Sequence, residues 1–382
     1  MVKKEKANPI KVGFIVSPLE TAHATRGIGF YTNRLYTNLC LLTQKKEYRA
    51  FKVIPISNFD QLNSEQLSVL HYPFFDLFRP TLKIPKGLST VITIHDVTQL
   101  RFPQHYPAGI RGKQSLMLQT KALQSVKLVI TDSYTSKKDI TFYLKIASDR
   151  IQVIPLAPQF VLNERLFKSR GYQVKKKYKL PDKYVLYVGD VNWNKNIPGL
   201  IKACGQMQMP LVIVGKQAIE IDKLDRKVIH VSRPRDILRN LLGLPHPELA
   251  HVEELTRLFK SDLVIRLGFV PEPDLPVIYS LANVYCQPSF WEGFGLDPLE
   301  AITVGCPVVS SNTPALKELL GNAAVYVDPL NVDDIAQGIQ SALNPAVSRR
   351  LTALGKARSC AYNWQKTAAM TLDVYNKVLE TK

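Results

Sequence analysis

Short apolar runs alternate with longer amphipathic stretches along this chain. Runs of four or five residues, rich in β-branched side chains, predict buried strands, and the stretches between them, such as Gly29–Leu42 and Ile110–Ser125, predict helices. Strand–helix alternation predicts parallel sheets with helices on both faces. The predicted strands fall into two series: Val12–Val16, Lys52–Ile56, Thr90–Ile94, Leu128–Thr131 and Ile151–Ile154, then Val185–Val188, Leu211–Val214, Val228–Val231, Leu263–Leu267, Val284–Gln287 and Pro307–Ser310.

Two such series in 382 residues predict two domains, since the chain is too long for one ordinary core. The fold class expected is α/β, with two Rossmann-like, doubly wound domains facing a cleft. We expect an N-terminal domain over 1–170, a C-terminal domain over 171–355, and a final helix over 356–382 that packs back on the N-terminal domain. Ligands bind outside the carboxyl ends of the strands in such folds, so the cleft is the expected site.

The net charge of +18 is unevenly distributed. Residues 1–180 hold 29 basic and 11 acidic residues, whereas 181–382 hold 21 of each. This asymmetry indicates either an anionic partner for the first half (a membrane surface, a phosphorylated acceptor or nucleic acid) or a solubilising surface. The basic start has no small-residue cleavage site after it and no apolar run reaches 18 residues, so we expect a cytoplasmic protein. The five scattered cysteines are expected to be free thiols.

The segment Ser289–Glu300, SFWEGFGLDPLE, carries the strongest chemical signal. It joins a predicted strand to a predicted helix, and a glycine-flanked turn of this kind can present backbone N–H groups to an anion. Asp297 is predicted as the helix N-cap, with Glu300 completing a D-x-x-E capping box. Glu300 therefore has a structural explanation as well as a functional one. Glu292 has no such explanation, and its carboxylate suits the hydroxyl groups of a sugar.

This segment and its continuation to Pro329 resemble the signature of the family 4 retaining glycosyltransferases, which have the GT-B fold. The hallmark is a pair of glutamates with seven residues between them, matched by Glu292 and Glu300. The resemblance implies that Glu292 contacts the donor sugar and that Glu300 binds the ribose of the nucleotide. It also implies that the backbone of the turn faces the donor, at Gly293, Phe294, Gly295 and Leu296.

Further matches follow in family order. The segment RGIGFYTNRL resembles the N-terminal glycine loop, with Gly27 and Gly29, and the His of VITIHD, His95, resembles the active-site histidine near the donor sugar. Lys195 resembles the lysine that binds the donor diphosphate. The segment LGFVPEPDL resembles the loop that holds the base, with Phe269 and Val270 at its centre.

The chain departs from the family pattern beside Lys195. Many members carry a nearby arginine that shares the diphosphate charge, and here either Arg26 or another basic residue replaces it, or backbone N–H groups do so. The segment Arg233–Val252 is interpreted as an insertion. Its two histidines, His246 and His251, lie on different helical faces with no cysteine or carboxylate cluster, so no metal site is expected.

The resemblance implies transfer of a hexose from a nucleotide diphosphate sugar, with retention of configuration and without a metal or other cofactor. We expect GDP-mannose as donor and a glycan or lipid-linked acceptor of cell-surface polysaccharide synthesis. The basic N-terminal domain is expected to hold the acceptor and to contact an anionic membrane surface peripherally. Nucleic acid is not expected as a partner, because no basic stripe with interleaved aromatic residues is present. The alternatives are a nucleotide-sugar epimerase of the same fold and a non-catalytic sugar-binding protein.

Overall fold

The computed structural model describes residues 9–20, 27–63, 65–160, 163–221 and 247–380. Contacts divide the chain into two compact units. The first comprises Met1–Arg101, Ala108–Gln159 and Tyr362–Lys382, and the second comprises Phe102–Pro107 and Phe160–Ala361. The three-part division expected from the sequence stays a prediction.

The first unit contains a sheet of parallel strands in the order β2-β1-β3-β4-β5-β6, counted over the described residues. The interior strands of this sheet are largely buried, because helices cover parallel sheets on both faces. The strands are β1 (Ile10–Ile15), β2 (Phe51–Ile56), β3 (Val69–Tyr72), β4 (Ser89–Thr93), β5 (Leu128–Thr131) and β6 (Ile151–Val153).

The second unit contains a second parallel sheet in the order β12-β11-β10-β7-β8-β9, again over the described residues. After β9 the chain returns to place β10 on the free side of β7, so the direction of winding reverses between these two strands. The strands are β7 (Val185–Val188), β8 (Leu211–Val214), β9 (Val264–Gly268), β10 (Val284–Gln287), β11 (Val308–Ser311) and β12 (Ala324–Val327).

Helices connect the strands of each sheet. Those of the described residues are α1 (Gly27–Thr43), α2 (Thr98–Arg101), α3 (Gly109–Leu123), α4 (Tyr134–Leu144), α5 (Glu164–Lys177), α6 (Ile197–Gln206), α7 (Lys216–Glu220), α8 (Pro247–Leu258), α9 (Leu275–Leu281), α10 (Leu296–Val304), α11 (Pro314–Leu320), α12 (Val332–Leu343), α13 (Pro345–Ser359) and α14 (Trp364–Glu380).

The expected α/β class with two doubly wound sheets is confirmed. Most predicted strands lie within a residue or two of their observed bounds, but β3 and β12 were not predicted. The predicted strand Val228–Val231 lies outside the described residues. The five cysteines are free thiols as expected, and three of them are buried: Cys204, Cys286 and Cys306.

The final helix, α14, packs on α1 within the first unit. Its Tyr375 is buried, and the hydroxyl group lies 2.6 Å from Nδ1 of His71 on β3. His71 Nε2 lies 2.9 Å from Thr93 Oγ1, so both ring nitrogens have partners. Among the residues that the structure describes, no helix combines the length and the apolar character that crossing a membrane requires.

Candidate active site

Two loops of the second unit leave the carboxyl ends of the neighbouring strands β7 and β10. The loop after β7 carries Lys195, and the loop after β10 carries Glu292. The two strands pair in parallel at the point where the winding reverses. Open parallel sheets bind ligands at such a reversal, beside the carboxyl ends of the strands. The fold therefore places both predicted residues where a ligand is expected.

Lys195 and Glu292 form a two-pronged ion pair. The lysine Nζ donates to Oε1 at 2.8 Å and to Oε2 at 3.0 Å. Gln287 at the end of β10 donates its Nε2–H to the same Oε1 at 2.7 Å, and the hydroxyl of Tyr285 donates to Gln287 Oε1 at 2.5 Å. The side chains of the pair are 17% and 9% exposed. Burial and shared hydrogen bonds fix both charged groups before any ligand arrives.

Carboxylates around Lys195 keep it positively charged. Burial lowers the pKa of the ammonium group. Attraction to Glu292, Asp297 and Asp190, with the hydrogen bond to Glu292, outweighs burial and raises the pKa above its ordinary value. The lysine is thus a fixed cation at neutral pH, suited to a phosphate group.

Asp297 is a residue of this site that sequence reasoning assigned to a helix cap. The helix α10 begins at Leu296 with Gly295 as its N-cap, because Gly295 adopts a φ of +104° that lets the chain turn into the helix there. Asp297 lies in the first turn and is not the N-cap, so the predicted capping box of Asp297 and Glu300 is wrong.

The carboxylate of Asp297 lies against the loop after β7. Its Oδ2 is 3.2 Å from the position that a Cβ on Gly189 would occupy. Removal from water raises the pKa of Asp297 to about 7; the charge of Lys195 opposes this rise, and the charges of Glu292 and Asp190 add to it. A group that titrates near neutral pH therefore lies beside the lysine, and only the folded contact between the two loops reveals it.

The glycine turn is closely packed. Phe294 is buried, and a Cβ on Gly295 would lie 2.5 Å from Cδ2 of Leu316. Helix α10 directs its N-terminal N–H groups toward this turn, and such groups attract anions. Glu300, one helical turn further on, is buried and accepts a hydrogen bond from the Tyr279 hydroxyl at 3.4 Å. Its role as a ligand for ribose stays a prediction.

The predicted base-binding residues follow β9. Gly268 ends the strand with a φ of +66°, and the next two residues differ in exposure. Phe269 is 53% exposed, whereas Val270 is buried. An exposed phenyl group on an ordered turn is available to stack on a base.

In the first unit, His95 follows β4 and pairs with Asp132 at the end of β5. Nδ1 of the imidazole lies 2.7 Å from Oδ2 of the carboxylate. Burial lowers the pKa of His95, but the charge and hydrogen bond of Asp132 outweigh burial and raise it. The rings of Tyr31 and His95 pack edge to face, with their centres 4.6 Å apart. Nε2 is buried, and a hydrogen bond to the backbone of Pro73 adds to the rise in pKa.

The remaining predictions are only partly covered by the described residues. Gly27 opens α1, where an added Cβ would meet no atom of the described residues within 4 Å, and Gly29 is buried in the first turn. Arg26 and His246 lie outside the described residues, as does most of the predicted insertion. His251 donates its Nε2–H to the carbonyl of Val191 at 2.8 Å, which is a structural contact. The catalytic and binding roles assigned from the sequence stay predictions.

Comparison with known proteins assigns the chain to a family. The profile of the family described as glycosyl transferases group 1 matches residues 172–358. The O-antigen chain mannosyltransferase B of Escherichia coli is 31% identical over 306 residues, which cover 78% of this chain and 72% of the relative. The serotype-specific mannosyltransferase WbdA of Escherichia coli is 28% identical over 302 residues, covering 77% of this chain but only 34% of WbdA.

The sucrose-phosphate synthase of Thermosynechococcus elongatus has a similar structure. Its TM-score is 0.66 at 19% identity, over 97% of this chain and 100% of the synthase chain. At that identity the likeness shows the fold alone. The match to mannosyltransferase B over most of both chains shows the family. The chain belongs to the glycosyl transferases of group 1, with the GT-B fold.

Proposed function

We propose that this chain is a retaining, metal-independent mannosyltransferase that uses GDP-mannose. Its acceptor would be a glycan or a lipid-linked intermediate of cell-surface polysaccharide synthesis. The observation that carries the proposal is the buried Lys195–Glu292 pair beside the glycine turn of α10. The names of the relatives support mannose as the sugar and an O-antigen chain as the kind of product. The epimerase and the non-catalytic binding protein are not favoured, because these relatives are transferases.

Each part of the donor has a candidate partner in the second unit. The base would stack near Phe269 and Val270, and the ribose hydroxyls would bond to Glu300. The diphosphate would lie against Lys195 and the N-terminus of α10, with Glu292 at the sugar. Lys195 has three N–H donors, so it can keep its bond to Glu292 and contact a phosphate oxygen at the same time.

The proposed reaction needs orientation and charge stabilisation from the protein. The bond between the anomeric carbon of mannose and the diphosphate oxygen breaks, and the acceptor hydroxyl oxygen bonds to that carbon on the same face. The acceptor proton passes to the departing phosphate oxygen. Negative charge grows on the diphosphate as the bond breaks, and the fixed cation of Lys195 and the helix N-terminus stabilise it. This arrangement provides the positive charge without a divalent ion.

A donor panel tests the proposal. UDP-, GDP- and ADP-sugars are supplied with a lipid extract as acceptor, and nucleoside diphosphate release is measured with and without EDTA. We expect release from GDP-mannose alone, unchanged by EDTA, and a product whose anomeric NMR signal shows retention. Inversion in the product, or loss of activity in EDTA that returns with a divalent ion, would contradict the proposed mechanism.

An anionic membrane surface is part of the proposal for the acceptor side. In the first unit, two exposed aromatic rings lie near three lysines on α4 and at its C-terminal end, and a shallow pocket of about 560 Å³ lies among them. Exposed apolar side chains also occur on α3, namely Ile110, Met117 and Leu118. Apolar groups among lysines favour the surface of an anionic bilayer. The pocket is lined by Tyr134, Lys137, Lys138, Thr141, Phe142, Lys145 and Ser148.

A further inference from the structure

A short segment, Phe102–Pro107, belongs to the second unit by its contacts, although its sequence neighbours on both sides belong to the first. Its Tyr106 reaches the loop after β7. The tyrosine hydroxyl donates to Oδ1 of Asn194 at 2.7 Å and accepts the backbone N–H of the same residue at 3.2 Å. The hydroxyl thus donates to and accepts from one residue, which directly precedes Lys195.

Asn194 in turn joins the two loops of the candidate site. Its side-chain Nδ2 donates to the carbonyl of Trp291 at 3.1 Å, and its own carbonyl accepts the N–H of Phe290 at 2.7 Å. Asn194 is buried, and its four polar groups all have partners. Trp291 directly precedes Glu292. The chain of hydrogen bonds therefore runs from Tyr106 to the residues next to both members of the ion pair.

Aromatic packing supports the same contact. The imidazole of His105 stacks on the indole of Trp193, with ring centres 3.4 Å apart and planes 9° apart. Phe102 and Phe290 also pack against this indole, at 5.3 and 4.8 Å. The segment Phe102–Pro107 thus contacts the loop after β7, and that loop contacts the loop after β10. Packed aromatic rings hold such an arrangement with little freedom.

We propose that Tyr106 is a positioning residue of the donor site. Its hydroxyl, acting through Asn194, holds the loop of Lys195 against the loop of Glu292. The proposal rests on the proposed function only in taking these loops to bind the donor. A hydroxyl group that sets the spacing of two loops affects the transition state most, because a shift of about 1 Å can reduce a rate about 100-fold.

Hydrogen exchange tests the positioning role without any need for activity. In Tyr106→Phe, we expect amide exchange in residues 189–196 and 288–295 to become about 10-fold faster, as for the loss of one hydrogen bond. The matched control is Tyr326→Phe, which removes a 2.7 Å bond to the carbonyl of Gly321 in the same unit. The control should leave both loops unchanged. Unchanged exchange in both loops of Tyr106→Phe would overturn the proposal.

Kinetics then separates positioning from a merely structural role. We expect Tyr106→Phe to lower kcat about 10-fold or more while the KM for the donor changes less than about threefold. Asn194→Ala should reproduce the loss, and the double variant should be no slower than Asn194→Ala alone. Additive losses would contradict action through Asn194. If the wild-type protein transfers no sugar, the proposed function fails, and the exchange measurement still decides the role of Tyr106.

Discussion

At the scale of single residues, the site is one cation among three carboxylates. Lys195 bonds directly to Glu292 and is attracted to Asp297 and Asp190. Asp297, with a pKa of about 7, can hold a proton beside the lysine, and Lys195 is the cation that a diphosphate would contact. Clusters of groups with shifted pKa values are typical of functional sites.

Replacing Lys195 should weaken nucleotide binding. In Lys195→Ala, we expect the Kd for GDP to rise about 10- to 100-fold, the loss of a charged hydrogen bond. Calorimetric titration measures it. Lys202→Ala is the matched control, because Lys202 forms a 2.7 Å pair with Glu254 on the surface of the same unit. Equal GDP affinity in wild type and Lys195→Ala would contradict the assignment of the lysine to the diphosphate.

Asp297 should make stability depend on pH. Its folded pKa, about 7, lies above the ordinary aspartate value of 3.8, so the folded state holds the proton more tightly between these values. The free energy of unfolding should therefore fall as pH rises from about 4 to 7, by at most about 1.4 kcal/mol per pH unit from this group. Urea unfolding of wild type and Asp297→Asn across this pH range measures the fall in the free energy of unfolding, and the fall should be smaller in the variant. Identical pH slopes in the two proteins would contradict the raised pKa of Asp297.

The sequence predicted the charged residues of this site but not the contacts that tune them. Lys195 and Glu292 lie 97 positions apart, and each was recognisable from the sequence motif that surrounds it. The pKa of Asp297 depends on burial and on the charges of Lys195 and Asp190, which only the folded sheet brings near. Tyr106 was equally hidden, because its contact with Asn194 spans 88 positions and no local pattern encodes it.

At the scale of elements, the strands were predictable where they form continuous apolar runs. β7, β8 and β10 are buried on both faces, and such strands need no alternation. β3 was missed because its four residues include His71, a residue that seldom marks a core strand. His71 is nevertheless fully buried, because Tyr375 and Thr93 satisfy its ring. The start of α10 was placed two residues late because a left-handed glycine replaces a side-chain cap.

The link between α14 and β3 predicts a stability change. Tyr375→Phe removes the 2.6 Å contact with Nδ1 of His71 and leaves a buried nitrogen unpaired. We expect the free energy of unfolding to fall by about 1–3 kcal/mol. Denaturant unfolding measures it, with Tyr172→Phe as a control on an exposed ring. A variant as stable as wild type would mean that the contact contributes nothing.

The neutrality of His71 predicts acid sensitivity. Burial, with the charge of His95 adding to it, lowers the pKa of His71 to about 3. The unfolded chain therefore takes up the proton first, near the ordinary histidine value. We expect the contribution of His71 to stability to be complete above about pH 6.5 and to decline as pH falls toward 3. His71→Asn should reduce the pH slope of unfolding across this interval, and an unchanged slope would contradict the neutral, buried histidine.

At the scale of the whole molecule, charge separates the two halves of the sequence. The excess of +18 lies within residues 1–180, and the second half is balanced. The sequence predicted two doubly wound sheets because strands and helices alternate in two series. It did not predict that Phe102–Pro107 would join the second unit, because that depends on side-chain contacts between distant segments.

The basic, aromatic surface of α4 should respond to lipid charge. We expect cosedimentation with vesicles containing anionic phospholipid at low salt, and loss of binding as salt rises. Lys138→Glu with Lys145→Glu should weaken binding about 10-fold or more, at about 1 kcal/mol per lysine removed. The matched control, Lys45→Glu with Lys46→Glu, makes the same change in charge elsewhere in the first unit. It should bind the vesicles more tightly than the variant with both substitutions on α4 and at its end. Equal loss of binding in both double variants would mean that only the net charge of the protein attracts it to the vesicles. If the wild-type protein does not bind, the membrane is excluded as a partner.

The central claim is that the Lys195–Glu292 pair acts on a nucleotide sugar, and one measurement tests it most directly. Release of GDP from GDP-mannose is followed for wild type, Glu292→Ala and Glu254→Ala, where Glu254 forms an ion pair of similar length on the surface. We expect Glu292→Ala to lose at least about 100-fold in rate, as for a group that orients a substrate, and Glu254→Ala to keep the wild-type rate. Equal rates in all three proteins would show that the paired glutamate plays no part in transfer.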